Sequence, residues 1–179
     1  MPKKVICLLI AVMLMVSVCP VAQAASEPTI TVSSCEAKQG ETIELSVSIK
    51  NNPGINTFSF GFEYDNTKLK LIDVTITEKL GGQFAYKNKA IWFNTKDSKY
   101  NGKILNLKFK VLNTGQGGKT NVTVTYSPGD ISNAEEKNVN CDIVAGVVTI
   151  KESEVKESWL TKILDFFKRV VTLLKNLFN

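Results

Sequence analysis

The chain has no histidine. Ser-His-Asp and Cys-His catalysis are therefore excluded, as is any metal site built on imidazole. Cysteine is scarce, with four in 179 residues. No cluster of lysine or arginine is interleaved with aromatics, so nucleic acid is not an expected partner. No run of oxygen ligands has the spacing of a calcium loop, and no internal repeat is visible. What remains for chemistry is carboxylates, lysines and two late cysteines. With 44% hydrophobic and 22% charged residues, the composition is that of an ordinary globular protein. The expectation is a binding module without catalytic residues, metal or cofactor of its own.

The N-terminus reads as an export signal over residues 1–24. Pro2-Lys3-Lys4 is a positive start, Val5 to Val18 is an apolar run, and Ala22-Gln23-Ala24 is a small-x-small cleavage site. The run is shorter than the roughly 20 residues that a spanning helix needs. Cleavage would remove Cys7 and Cys19, leaving Cys35 and Cys141. An even pair in an exported chain is either oxidised to a disulfide or kept as two buried thiols. The bond would close a loop worth roughly 4.7 kcal/mol in the chain-entropy model. The expected location is extracellular.

Residues 25–151 form the body. Period-2 alternation dominates it, and no segment carries a helical stripe. Ile43, Leu45, Val47 and Ile49 share one face of a strand, with Glu44, Ser46, Ser48 and Lys50 on the other. Phe58, Phe60, Phe62 and Tyr64 alternate in the same way with Thr57, Ser59, Gly61 and Glu63. Further strands are expected over 29–33, 69–77, 84–87, 90–95, 105–111, 121–126 and 144–150. Turn chemistry separates them, as at Asn52-Pro53-Gly54, Gly81-Gly82, Asn101-Gly102 and Ser127-Pro128-Gly129. Nine short strands with such spacing imply an all-β sandwich or barrel.

Six segments stand out in order: Gly40-Glu41-Thr42, Asn52-Pro53-Gly54-Ile55, the Phe58-x-Phe60-x-Phe62-x-Tyr64-Asp65 strand, Lys68-Leu69-x-Leu71, Asn101-Gly102-Lys103-Ile104-Leu105, and the closing Ala145-Gly146-Val147-Val148-Thr149-Ile150. Together they resemble the cohesin domain, the dockerin-binding module of cellulosome assemblies. The resemblance covers about residues 29–151. It implies a nine-stranded jelly-roll sandwich and a dockerin-bearing partner. Any calcium would belong to that partner. Family contacts lie mainly on the sheet of strands three, five, six and eight. Carried across, they fall on Thr57, Ser59 and Glu63, then Asn94, Thr95, Lys96 and Asp97, then Asn121, Thr123 and Thr125. Outward residues of an exposed strand are polar in any case, because water faces them. As a group, however, Thr57, Ser59 and Gly61 make a flat, uncharged stretch with a charged rim of Glu63, Lys96 and Asp97.

Two other functions compete. A sandwich with exposed aromatics would bind carbohydrate directly, and Trp92 is either such a platform or an ordinary sheet aromatic. Glycoside cleavage would need two carboxylates some 5–10 Å apart; Glu63, Asp65 and Asp97 are the nearest candidates, with Asp65 better read as a turn former.

The tail supplies the third possibility. After a charged linker (152–157), the period changes to 3.6 over 158–179, with Ser158 as N-cap. On a helical wheel starting at Trp159, the apolar residues fall between roughly 320° and 140°, and the polar ones between roughly 160° and 300°. Trp159, Ile163, Phe166, Phe167, Val170, Leu174 and Leu177 lie on the apolar face. Lys168 and Arg169 sit mid-helix, each costing about 2.5–3.5 kcal/mol in hydrocarbon, which argues against spanning. The apolar face is expected to meet an anionic membrane surface, a second copy or other protein, or the sandwich itself. A cell-surface association would follow from the first.

Overall fold

Alternating apolar residues become strands because each buries one row of side chains and leaves the other to water. The computed structural model describes residues 27–114, 117–152 and 159–177. The expected export signal and nearly all of the linker lie outside these residues. Twelve strands form: β1 (Thr29–Val32), β2 (Cys35–Lys38), β3 (Thr42–Lys50), β4 (Ile55–Tyr64), β5 (Leu69–Ile76), β6 (Gln83–Tyr86), β7 (Ala90–Ser98), β8 (Gly102–Val111), β9 (Gly118–Thr125), β10 (Ile131–Ser132), β11 (Asp142–Val144) and β12 (Gly146–Lys151). A helix, α1 (Trp159–Leu177), follows. One sheet has the order β11-β1-β3-β8-β5; the other is β2-β12-β9-β4-β7-β6, with β10 also paired to β4.

The core lies between the sheets and draws on both. Ile43, Leu45 and Val47 of β3 oppose Phe109, Leu107 and Leu105 of β8, and all six are buried. From the other sheet come Phe58, Phe60 and Trp92, none with any exposure. The Phe58 ring stacks on Phe60 at 4.4 Å and on Trp92 at 5.3 Å between centroids. Tyr64 meets Phe109 edge-on at 5.0 Å, tying the two sheets together.

The expected all-β sandwich followed by a helix is what forms, but the described residues make twelve strands in place of nine. The three additional ones are β2, β10 and β11. Two of them arise because the chain changes sheets near each end. β1 pairs with β3 in one sheet, then Ser33 and Ser34 cross over and β2 pairs with β12 in the other. β11 and β12 make the same crossing at Ala145, running parallel to β1 and β2. Side chains close the crossings: Ser33 Oγ accepts the Ser46 N–H at 2.9 Å, and Ser34 Oγ accepts the Val147 N–H at 2.9 Å. Gly146 is required there, since a Cβ would stand 2.3 Å from the Ser33 carbonyl oxygen.

The same registers correct the disulfide. Thr29 is level with Asp142, and Cys35 is level with Val148. Cys35 and Cys141 are thus seven residues apart along neighbouring strands, about 23 Å at strand rise. A disulfide needs Cα atoms within about 7 Å. Both remain free thiols. Burial and the neighbouring Asp142 push the Cys141 thiol up to about 11.

A candidate partner-binding face

The outer surface of β6, β7, β4 and β9 is set by β4. Its phenylalanines take the core, so Thr57, Ser59, Gly61 and Glu63 are turned outward. Register then decides their neighbours. Thr57 lies beside Phe93 and Ser59 beside Ile91 on β7; those two in turn lie beside Gln83 and Ala85 on β6. On the other flank, Gly61 lies beside Thr125 and Glu63 beside Thr123 of β9. Asn121 continues the row, next to Val147 of β12. Thr57, Ser59, Glu63, Asn121, Thr123 and Thr125 therefore share one face.

That face is flat for specific reasons. A Cβ on Gly61 would meet Thr125 Oγ1 at 2.6 Å, so glycine lets the neighbouring threonine lie down. The Thr57 hydroxyl donates to the Trp92 carbonyl at 3.0 Å, which holds its rotamer and leaves its oxygen free to accept a further hydrogen bond. Toward the β9 end the surface dips into a groove of about 530 Å³, lined by Glu63, Tyr64, Asp65, Thr120, Asn121, Thr123 and Ala145.

The centre of the β6–β7 half is apolar. Ile91 is 47% exposed and Phe93 54% exposed, side by side on the outward row. Neither was among the expected contact residues. The signal was present in the sequence: Ala90-Ile91-Trp92-Phe93 is apolar at both parities, whereas a strand with one wet face should alternate.

Trp92 itself points inward. It is fully buried, and its indole N–H donates to the Gly81 carbonyl at 2.7 Å. It cannot serve as a sugar platform; it pins the turn that leads into β6.

Residues 94–97 do not continue the flat row. Ile55 pairs with Ser98 and Thr57 with Phe93, so one residue of β4 opposes four of β7. Asn94 through Asp97 form a multi-residue bulge. The Asn94 amide turns back to donate to the Leu80 carbonyl at 3.4 Å, and its Oδ1 accepts the Thr95 N–H at 2.8 Å. Asp97 accepts the Ala134 N–H at 2.6 Å and packs against Gly54. Those two brace loops, while Thr95 and Lys96 are exposed at the edge of the face.

Below this bulge, Asn52 is the buried hub of the sandwich end. Its side-chain amide donates to the Ser98 and Tyr100 carbonyls at 2.9 Å each, and its Oδ1 accepts the Gly54 N–H at 3.0 Å.

The carboxylates are not paired for catalysis. Asp97, on β7, lies beside the start of β4, and Glu63 lies near its end, eight residues from Ile55, or about 26 Å at strand rise. Asp65 is committed to a turn: its Oδ1 accepts the N–H and the hydroxyl of Thr67 at 3.0 and 2.5 Å. Those bonds, with Lys68 nearby, hold its carboxyl below the usual aspartate range.

The cohesin domain model matches residues 28–150, more than two thirds of the chain. The chain belongs to the cohesin family. No curated protein matches it. Solved structures agree on the fold. A non-cellulosomal cohesin from the hyperthermophilic archaeon Archaeoglobus fulgidus is 23% identical with a TM-score of 0.61, covering 72% of this chain and 94% of its own. A type I cohesin–dockerin complex from Clostridium thermocellum is 17% identical, TM-score 0.59, with 70% and 100% coverage. The seventh ScaB type I cohesin from Pseudobacteroides cellulosolvens is 21% identical, TM-score 0.58, with 73% and 96% coverage. In this cohesin the third, fifth, sixth and eighth of the nine expected strands are β4, β6, β7 and β9, the four that carry the face described above.

Proposed function

We propose that this cohesin captures a dockerin-bearing protein on the outer face of β6, β7, β4 and β9, and is itself not an enzyme. The observation that carries the reading is the Ile91–Phe93 pair at the centre of a flat face. The Thr57 and Ser59 hydroxyls flank it on β4 and Gln83 on β6, those of Thr123 and Thr125 lie beyond β4, and Glu63 and Lys96 lie toward the edge of the face. An apolar centre with a hydrogen-bonding, charged periphery is the anatomy of a protein-docking surface. It suits a helix laid across the strands, with the apolar pair as anchor and the hydroxyls bonding along its flanks. Calcium, where needed, is supplied by the dockerin. Residues 1–24 direct export and are removed after Ala24, so the module works outside the cell and organises polysaccharide-degrading enzymes there.

Direct sugar binding has less support. Stacking on a sugar ring needs coplanar exposed aromatics, and Phe93 is the single exposed aromatic among the described residues of the sandwich. The test is a pull-down from native culture supernatant with residues 25–157, with and without a calcium chelator. Recovery of dockerin-bearing enzymes, lost on chelation, is expected. Retention on insoluble polysaccharide with no such recovery would sink the dockerin reading.

A further inference from the structure

The helix α1 leaves its apolar side in water. Ile163, Leu164, Phe166, Phe167, Val171, Leu173 and Leu174 are all at least 40% exposed, with Phe166 and Leu173 at 63%. No described helix is long and apolar enough to cross a membrane. We propose that α1 is an interfacial anchor that lies in the surface of an anionic lipid bilayer, holding the sandwich beside it.

The charge pattern selects this occupant. With Trp159 as origin and about 100° per residue, Lys175 and Lys168 fall at about 160° and 180°, just past one edge of the apolar sector. Arg169 and Lys162 fall at about 280° and 300°, just past the other. Between them, at the pole farthest from the apolar side, lie Thr161, Thr172, Asp165 and Asn176. Cations thus line both borders, and the one carboxylate is placed away from them. A helix half sunk in a bilayer needs this order: apolar side chains among acyl chains, lysine and arginine stems reaching up to phosphate, and acidic groups in water. The Lys168–Asp165 ion pair, 3.8 Å long with both groups mostly exposed, does not neutralise the border.

A second copy fits worse. A two-helix seam uses about two residues in seven, whereas the apolar sector here spans about half the helix circumference. In any self-assembly the flanks of neighbouring helices would meet cation against cation, because both flanks carry only positive charge. A bilayer of anionic lipid covers the whole sector and turns that charge from a liability into attraction.

The chain from Ala25 onward retains both sheets and α1, so it is the protein to use, with phosphatidylcholine vesicles containing or lacking phosphatidylglycerol. Co-sedimentation is expected with phosphatidylglycerol, weakening as salt is raised, and helical circular dichroism should increase on binding. Each basic residue at an anionic surface contributes about fivefold in partitioning. The Lys162→Gln, Lys168→Gln, Arg169→Gln, Lys175→Gln variant should bind those vesicles at least about thirtyfold less. In lipid-free solution at low concentration the parent should sediment as a monomer. Equal binding to both vesicle types, no binding to either, or a stable lipid-free oligomer that survives in the Gln variant would each overturn the proposal. Dockerin capture does not enter these readouts, so the two readings stand or fall separately.

Discussion

Truncating Ile91 and Phe93 together should break partner capture without unfolding the sandwich. About half of each side chain still faces water, 47% and 54%. Burying a whole isoleucine or phenylalanine yields about 1.5–3 kcal/mol. Covering the exposed half of each then yields roughly 0.7–1.5 kcal/mol, and the pair about 1.5–3 kcal/mol. The Ile91→Ala, Phe93→Ala variant should therefore bind about ten- to a hundredfold more weakly. Isothermal titration against a purified dockerin, in calcium, reads this directly. Ile72 is the matched control: it is 51% exposed on β5, in the opposite sheet. Ile72→Ala makes the same kind of truncation and should leave affinity within about twofold, well inside the loss predicted for a buried contact. Thermal melting should show similarly small shifts for both, since each residue is half solvated in the free protein. If the double variant keeps parental affinity, or Ile72→Ala loses as much, the apolar centre of the β6–β7 half is not where the partner sits.

Other perturbations test the scaffold. Trp92→Ala should cost about 3–5 kcal/mol in urea unfolding, as an emptied aromatic core site does. Trp92→Phe should cost less but still about 1–2 kcal/mol, through the lost hydrogen bond to Gly81. Gly146→Ala forces the crossing strand away from Ser33 and should destabilise by about 1–3 kcal/mol or prevent folding; an unchanged melting temperature would contradict the crossing geometry. Reductant should not shift the melting temperature. Denatured, unreduced protein should show both free thiols, Cys35 and Cys141, to a thiol reagent, while native Cys141 reacts slowly at neutral pH because so little of it is thiolate. Asp130 accepts the Ser127 N–H at 2.8 Å and pairs with Lys89 at 3.2 Å, and these lower its carboxyl pKa, with the backbone bond leading. A lowered folded pKa stabilises above the unfolded value and is lost as pH falls through the folded one. Asp130→Asn should thus lower the melting temperature at neutral pH, with the gap to the parent closing below the ordinary aspartate pKa.

What the sequence made legible was whatever local alternation dictates. The inward row Phe58, Phe60, Phe62 and Tyr64 and the outward row Thr57, Ser59, Gly61 and Glu63 follow from period alone, because a buried face admits one parity. The sheet crossings were not legible: Ser34 is held by the N–H of Val147, 113 residues away, and no local pattern encodes such a partner. β2 and β11 therefore go unread beside the strands expected over 29–33 and 144–150, and the cysteine count of an exported chain leaves a Cys35–Cys141 bond and two buried thiols both open. Register, a property of pairs of strands, decides against the bond. Residues 94–97 are placed on the face by the family resemblance alone, and a four-against-one bulge turns two of them to bracing work. Ile91 and Phe93 are a different case. Their exposure was readable as a violation: a strand in a half-wet sheet that stays apolar at both parities must hide its second row from water by some means. Here the sandwich hides only the Ala90–Trp92 row. The row left over is uncovered in the isolated module and is available to another molecule. The same reasoning applies to α1, where the uncovered side is wider and bordered by charge of one sign. The two apolar surfaces differ in a way that fits different occupants. A pair of side chains among hydroxyls suits a partner with its own fixed shape, and half a helix circumference between cation borders suits a fluid anionic surface.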